Sequence, residues 1–434
     1  MRAAIYTLGC KVNQYETQAM EQELRRRGHE LVDFEDSADA YIINTCSVTA
    51  VSDKKSRQMI RRARRRSPGA VVAACGCYVQ THTDEAKTLG IDLIGGTGDR
   101  MAFLDLLEQE VRDRTPRVAV DDSLRRRSFE VLPAGGLAAR TRAMLKVEDG
   151  CVNFCTYCII PYARGPIRSR PVDEVRAELQ KLAAAGYREV VLTGIHLMSY
   201  GRDLPEAPTL LDAIAQADGI AEIRRIRLGS LEPQLLSDAF VRALAENPKV
   251  CRQFHLSLQS GSAGVLRRMR RRYTPEEYAD CVRRLRAAMP ECAITTDIIV
   301  GFPGETEAEF QETLAFARSV SLARIHVFPY SRREGTKAAE MPGQLSRMAK
   351  AERAARLGAL AAELAEAYAA RFVGTEQEVL FEEREGECLA GHTGTYLRVL
   401  APAADDTLCN CFARVRILSS KGGALHGTII ESEA

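Results

Sequence analysis

Through the first 120 residues, short apolar runs alternate with helically spaced ones. RAAIYTL (2–8), AYIIN (40–44), AVVAA (70–74) and IDLIGG (91–96) predict strands. Residues 14–27, 49–66 and 99–114 carry the 3.6-residue period and predict helices between or after them. Strands alternating with helices predict a parallel α/β sheet. From 121 to 141 the period is lost while Pro, Gly and charge accumulate, which sets a linker at 123–141.

The alternation restarts at 142 with a longer repeat. AMLKVE (143–148), EVVLTG (189–194), IRRIRLG (223–229), QFHLSL (253–258), AITTDIIVG (293–301) and LARIHVF (322–328) predict strands. Helices are predicted at 172–185, 209–217, 234–246, 274–288 and 306–319. Six such units predict a partial (β/α)6 barrel, since full closure takes eight. A long helix rich in Ala, Leu, Glu and Arg follows at 344–372. Beyond it, EQEVLFE, TYLRVL and CFARVRIL with Gly-rich turns predict a small antiparallel β barrel. The expected division is 1–122, a linker at 123–141, 142–372 with the closing helix, and 373–434.

Composition adds one informative number. Among 434 residues, 46% are hydrophobic and 27% charged, as in ordinary packed domains, and the net charge of +2 decides nothing about partners. No apolar run reaches the ~18 residues a membrane helix needs. The N-terminus does not read as a signal peptide, so the expected location is cytoplasmic, with no membrane partner. In that reducing compartment thirteen cysteines are metal ligands, reactive groups or core residues rather than disulfides.

Cys151, Cys155 and Cys158 stand in CVNFCTYC, just past the first strand of the second unit. Three thiolates in one wrapped loop suit a 4Fe–4S cluster with one open iron, at the barrel end where ligands bind. Zinc is the competing reading, but no fourth ligand is near and the spacing is unusual for it. Tyr157 is placed to shield or contact what binds. Polar groups at the barrel's strand ends complete a candidate cofactor pocket: Thr193 and Gly194, Ser257 and Gln259, and Asp297.

Cys10, Cys46 and Cys77 each follow an apolar strand and precede a helix, in AIYTLGC, AYIINTC and AVVAACGC. Carboxyl ends of parallel strands share one edge, so these three thiols converge in space. Of the CGC pair, Cys75 falls inside the strand and Cys77 in the loop, which makes Cys77 the expected ligand. Cys251, Cys281, Cys292, Cys388, Cys409 and Cys411 read as packing or structural.

C-x3-C-x2-C after a barrel's first strand resembles the radical S-adenosylmethionine (SAM) superfamily. TLGCKVNQYET, NTCSVTAVSDKKSRQ, CGCYVQ, LTGIHLMSYG, HLSLQSGS and TTDIIVGFPGET together resemble the methylthiotransferases, and the likeness runs the whole chain into a TRAM-like C-terminal domain. It implies two 4Fe–4S clusters, SAM, a sulfur donor and an electron donor such as flavodoxin or ferredoxin. Among the family's types, the first two motifs look like the one acting on N6-threonylcarbamoyladenosine beside the tRNA anticodon. It places a methylthio group on carbon 2 of the base. The alternatives are isopentenyladenosine tRNA, a ribosomal protein, or a non-catalytic iron–sulfur RNA-binding protein, which would need four ligands per cluster.

KKSRQMIRRARRR (54–66) has eight Lys/Arg and no acid, and predicts phosphate contact through Lys54, Lys55, Arg57, Arg61, Arg64 and Arg65. RRMRRR (267–272) and Arg125–Arg127 are smaller basic clusters. The C-terminal unit departs from an RNA-binding expectation, with ten acids against five bases from 374 onward. Arg398, Arg414, Arg416 and Lys421 are its candidates for contact.

Overall fold

The computed structural model describes residues 1–135 and 141–433. Six parallel strands form the first sheet: β1 (Arg2–Thr7), β2 (Glu30–Val32), β3 (Ala40–Thr45), β4 (Val71–Gly76), β5 (Leu93–Gly95) and β6 (Arg117–Ala119), in the order β2-β1-β3-β4-β5-β6. Every residue of β3 and β4 is buried, because helices cover both faces. Those helices include α1 (Lys11–Arg26), α2 (Ala50–Arg66) and α3 (Arg100–Asp113). The three principal helices and four predicted strands are present; β2 and β6, at the sheet edges, are additional.

The second unit has the predicted partial barrel. Its parallel strands are β7 (Arg142–Lys146), β8 (Glu189–Thr193), β9 (Arg225–Leu228), β10 (Gln253–Leu256), β11 (Ala293–Val300) and β12 (Arg324–Pro329). β7, β8 and β9 form one sheet, and β10, β11 and β12 with the short Ser230–Leu231 strand form another. A bridge between Ile226 and Val250 joins them. Among the described residues β7 and β12 do not pair, so the barrel is open between them.

Period two decides the two faces of these strands. Ala143, Leu145, Val190, Leu192, Ile226, Leu228, Phe254, Leu256, Ile294 and Ile298 belong to one core packed against the outer helices. The alternate positions include Arg142 and Lys146, Glu189, Arg225 and Arg227, Gln253 and His255, Thr295 and Asp297, and Arg324 and His326, with the apolar Met144, Val191, Ala293 and Ile299 among them. The barrel interior is therefore rich in polar and charged residues.

The N-terminal unit sits across the opening. α1 lies against β7, where Lys146 Nζ is 5.8 Å from the Tyr15 ring. On the other edge, Ala50 N donates to Ser331 Oγ at 2.8 Å and Arg333 pairs with Asp53 at 2.6 Å. At the centre of the contact Glu16 is fully buried. It takes Arg100 at 2.7 Å, Lys146 at 3.2 Å and Arg164 in an ion pair, and Arg164 also donates to Asn13 Oδ1 at 2.7 Å.

The 123–141 segment, the expected linker, is held at several points. Its residues 136–140 lie outside the described ones; of the others, Leu124 and Val131 are exposed while several are anchored. Leu132 and Ala134 are buried, Tyr15 and Arg170 both donate to the Leu132 carbonyl, and Ser123 Oγ donates to Tyr162 O at 2.6 Å.

The long helix α4 (Arg347–Ala370) leads into a closed five-stranded barrel. Its strands are β13 (Glu376–Glu385), β14 (Cys388–Thr393), β15 (Arg398–Pro402), β16 (Phe412–Lys421) and β17 (Ala424–Ser432). It caps the amino-terminal end of the α/β barrel. Arg142 pairs with Glu382 at 2.8 Å, Arg225 with Glu378 at 3.0 Å, and Arg227 donates to the carbonyls of Thr393 and Gly394 at 3.3 Å.

Removing one partner from a buried charge network strands the others. Glu16→Gln should cost about 3–5 kcal/mol of stability. Burial alone would raise the Glu16 pKa, but Arg100, Arg164 and Lys146 hold it well below 4.5. Its contribution is thus complete above the ordinary carboxylate range and lost as pH falls toward the depressed folded value. Urea titrations of wild type and variant between pH 7 and pH 3 check both statements. A shift under ~1 kcal/mol at pH 7 would show that the network is not the clasp.

Candidate iron–sulfur and cofactor site

Cys10, Cys46 and Cys77 converge at the carboxyl edge of the first sheet. Gly9 makes the approach possible: its φ is +104°, and a Cβ there would lie 2.8 Å from Cys46 Sγ. Asn13 holds the turn, donating to Leu8 O at 2.8 Å and Thr45 O at 2.9 Å. Val48 N donates to Cys46 Sγ at 3.5 Å. Burial pushes the Cys77 thiol up to about 12, Arg164 pulls it back, and Cys46 and Cys10 act on it as neighbours. Cys75 belongs elsewhere. It is buried in the core with Phe103, Leu104 and Leu107, and burial raises it to about 11 with Arg100 and Glu16 as its charged neighbours.

Cys151, Cys155 and Cys158 form the second group, on a loop closed by Cys158 N to Cys155 O at 2.9 Å and Cys151 N to Gly165 O at 3.0 Å. Burial raises Cys151 and Cys158 to about 12 each. A bound metal or cluster would bring these thiols down. Away from the thiols, His255, Asp297 and His326 have their ligand atoms within 4.8 Å of one another.

Around the second trio lie groups that the linear motifs did not flag. Arg271 Nη1 donates to Cys155 Sγ at 3.3 Å and pairs with Glu232. Arg268 pairs with Glu309 at 2.8 Å, so 267–272 is partly a structural element and not the continuous basic patch expected. Tyr157 packs beside Val265, Met269 and Phe302, with Arg271, Cys155 and Cys158 around its hydroxyl. Glu148 is buried, and burial raises its carboxyl well above the usual range. One oxygen accepts from His196 N at 2.6 Å, while Oε1 has no partner among the described residues. That orphaned acceptor stands beside the predicted pocket and fits a cationic ligand group. Gly194 is needed for Glu148 itself: a Cβ there would lie 2.7 Å from Glu148 Oε2, so the expected room for a ligand is filled by this side chain.

The other predicted pocket residues are spread along the barrel's carboxyl end. Thr193 is buried at the end of β8. The Ser257 carbonyl accepts from Tyr273, and Gln259 N donates to Asp297 O at 2.9 Å. Asp297 faces inward, with His255 Nε2 at 3.5 Å, while His255 Nδ1 meets Thr295 Oγ1 at 3.1 Å. Alternating polar residues in QFHLS, TTDII and RIHVF were the available signal for this inner wall.

The α2 cations divide into two groups. Arg57 pairs with Glu85 at 3.4 Å, and Arg64 pairs with Asp92 and donates to Gly90 O at 2.8 Å. Lys54, Lys55, Arg61 and Arg65 are exposed and have no acid partner among the described residues. In the C-terminal barrel Arg398, Arg414 and Arg416 are paired with Glu385, Glu376 and Glu376; Lys421 is exposed.

Residues 145–317 match the radical SAM superfamily, and residues 2–96 match an uncharacterized protein family, UPF0004. The threonylcarbamoyladenosine tRNA methylthiotransferase MtaB of Bacillus subtilis is 43% identical over 426 residues, covering 96% of this chain and 94% of that protein. The tRNA-2-methylthio-N(6)-dimethylallyladenosine synthase of Caldicellulosiruptor saccharolyticus is 35% identical over 439 residues, covering 98% and 92%. Among solved structures, the radical SAM methyltransferase TsrM from Kitasatospora setae, with cobalamin and a [4Fe-4S] cluster bound, has the same fold. Its TM-score is 0.57 at 18% identity, over 78% of this chain and 77% of that one.

Exposure and burial separate the cysteines chemically. In iron-free protein at pH 8, iodoacetamide should label exposed Cys10 far faster than buried Cys75 and Cys77. Peptide mass spectrometry after timed quenching reads this out, and equal rates at all three would contradict the packing described.

Proposed function

The chain belongs to the radical SAM methylthiotransferases of the MtaB type, and from that premise we propose that it methylthiolates carbon 2 of N6-threonylcarbamoyladenosine next to the anticodon in tRNA. It is a transferase, and no helix among the described residues is long and apolar enough to cross a membrane. The observation that carries the choice of base is the barrel interior. An inner wall carrying Arg, Lys, Glu, His and Asp beside a few apolar residues suits a substituent bearing a carboxylate. The 43% identical relative, named for the same nucleoside, supports the reading.

Cys151, Cys155 and Cys158 would hold one 4Fe–4S cluster, and Cys10, Cys46 and Cys77 a second. Bound there, the first cluster and SAM supply a carbon radical able to take the unactivated ring hydrogen, while the second cluster carries the sulfur. The protein's own residues bind and orient. Glu148 Oε1 would accept a hydrogen bond from the amine of bound SAM. Tyr157, Thr193, Gly194, Ser257, Gln259 and Asp297 line the same end of the barrel. Arg271 steadies Cys155 by its hydrogen bond, and Tyr157 keeps water from the thiolates. Lys54, Lys55, Arg61 and Arg65 would take tRNA phosphates, with Arg57 and Arg64 bracing the helix that presents them. The reaction also draws on an electron donor such as flavodoxin or ferredoxin, and on a sulfur donor. The units 1–122, 142–372 and 373–434 divide this work into sulfur delivery, radical generation and closure of the barrel.

Reconstituted enzyme should hold about eight irons, falling to roughly half when Cys151, Cys155 and Cys158 are all Ala. Cys75→Ala should leave iron and product unchanged, whereas Cys77→Ala should lose both the second cluster and the product. Nucleoside mass spectrometry after incubation with tRNA reads the product. Methylthiolation of isopentenyladenosine tRNA alone would refute the substrate assignment.

Phosphate binding has its own signature. A variant with Lys54, Lys55, Arg61 and Arg65 all changed to Gln should flatten the plot of log affinity against log salt by ~0.7–1 per residue. Arg57→Gln and Arg64→Gln should leave that slope nearly unchanged and lower stability instead. The comparison fails if the two groups affect the slope alike.

A further inference from the structure

The opening between β7 and β12 is occupied by the start of α1. Tyr15 and Glu16 of this helix meet Lys146 of β7. Lys11 lies one turn earlier than Tyr15 and so shares its face. Its ammonium is within electrostatic reach of Arg142, Arg227 and Glu189 on one side and of His326 on the other. The residue keeps a solvent-exposed part, while burial lowers the pKa of its ammonium. Lys11 therefore projects through the opening toward the charged inner wall.

Most cations on that wall are already paired. Arg142 has Glu382 at 2.8 Å, Arg225 has Glu378 at 3.0 Å, Arg227 has Glu189 at 2.8 Å and Lys146 has Glu16 at 3.2 Å. Among the described residues Lys11 has no acceptor, nor does Arg324, the exposed first residue of β12. Lys11 is also the residue after Cys10. Its reach is thus measured from the group that would deliver sulfur to the base.

We propose that Lys11 is a specificity-determining residue whose ammonium donates to the carboxylate of the threonylcarbamoyl group. The proposal rests on the substrate reading above. In adenine, C2 and C6 flank the same ring nitrogen. A base whose C2 faces the two cysteine trios therefore carries its N6 substituent only a ring's width away, within the span of a lysine side chain from Cys10. A free cation at that place favours an anionic substituent over a neutral one, by charge and by hydrogen bonding. His326, beside it on β12, adds a second polar group. A phosphate of a neighbouring nucleotide offers the same chemistry, so the test must separate the two anions.

The experiment uses reconstituted holoenzyme with SAM and no reductant, and measures the binding of anticodon stem-loop RNAs by fluorescence anisotropy. Three RNAs carry threonylcarbamoyladenosine, its methyl ester, or plain adenosine at the target position. Wild type should prefer the acid to the ester by about tenfold to a hundredfold, the range for a charge-assisted contact. Lys11→Gln should bind acid and ester alike, and Lys11→Arg should keep most of the preference. Iron content reports whether each variant keeps its clusters. The ester makes the same deletion from the ligand side, so wild type alone can decide if a variant loses iron. Equal binding of acid and ester by wild type overturns the proposal. An equal loss on all three RNAs in Lys11→Gln assigns Lys11 to a phosphate and also overturns it. Failure of wild type to methylthiolate the acid RNA under reducing conditions would instead overturn the substrate reading.

Discussion

The molecule turns on one buried carboxylate. Glu16 sits in α1 of the first unit and is surrounded by cations from both units: Arg100 from α3, and Lys146 and Arg164 from the barrel side. A charge buried this deeply is tolerable only with its partners in place. The ions therefore define one relative placement of sheet and barrel. Arg164 also faces Cys77, and Asp149, two residues before Cys151, joins the same network through Lys146 at 3.2 Å and Arg164 at 3.3 Å. The clasp that joins the units thus lies between the two cysteine trios and sets their separation. Apolar packing could hold the units together, but it would not specify their register as directionally.

A second consequence of charge concerns the C-terminal barrel. Its sequence carries twice as many acids as bases, which looks unsuited to RNA. Several of those acids face the α/β barrel: Glu378 and Glu382 meet Arg225 and Arg142, and Glu433 meets Arg188 at 2.8 Å. Tyr396 adds its ring, 4.9 Å from the Arg142 guanidinium and 4.5 Å from that of Arg227. The acidity is complementary to the cations at the amino-terminal end of the (β/α)6 barrel. The small barrel therefore closes the floor of the polar chamber, and the free cations that suit phosphate lie on α2.

The polar chamber follows from an open barrel. A closed eight-stranded barrel fills its interior with layered side chains. Six strands leave a gap between β7 and β12, and the N-terminal unit covers that gap with helix α1 and the 47–53 segment. Inward positions can then be Arg, Lys and Glu that pair with one another, and His and Asp that stay partly exposed. This is also why the inner wall was easy to overlook: buried-strand logic leads one to expect apolar residues on both faces.

The strand–helix alternation, the number of barrel strands, the long helix and the terminal β barrel were all legible in the chain, because each depends on local periodicity. So was the convergence of Cys10, Cys46 and Cys77, since parallel strands necessarily end at one edge. The choice of Cys77 over Cys75 followed from the same logic of strand and loop, and the two thiols do lie in different surroundings. Pairing was not legible. Eight cations in residues 54–66 look alike in sequence, yet Glu35, Glu85 and Asp92, distant along the chain, engage Arg62, Arg66, Arg57 and Arg64 and leave the others free. Lys11 read as one polar residue in a motif, and Glu16 as another. Only tertiary structure put the first in an open seam and the second among three buried cations. Periodicity is a property of neighbours in sequence, whereas the energy of a charge depends on everything within a few ångströms in space.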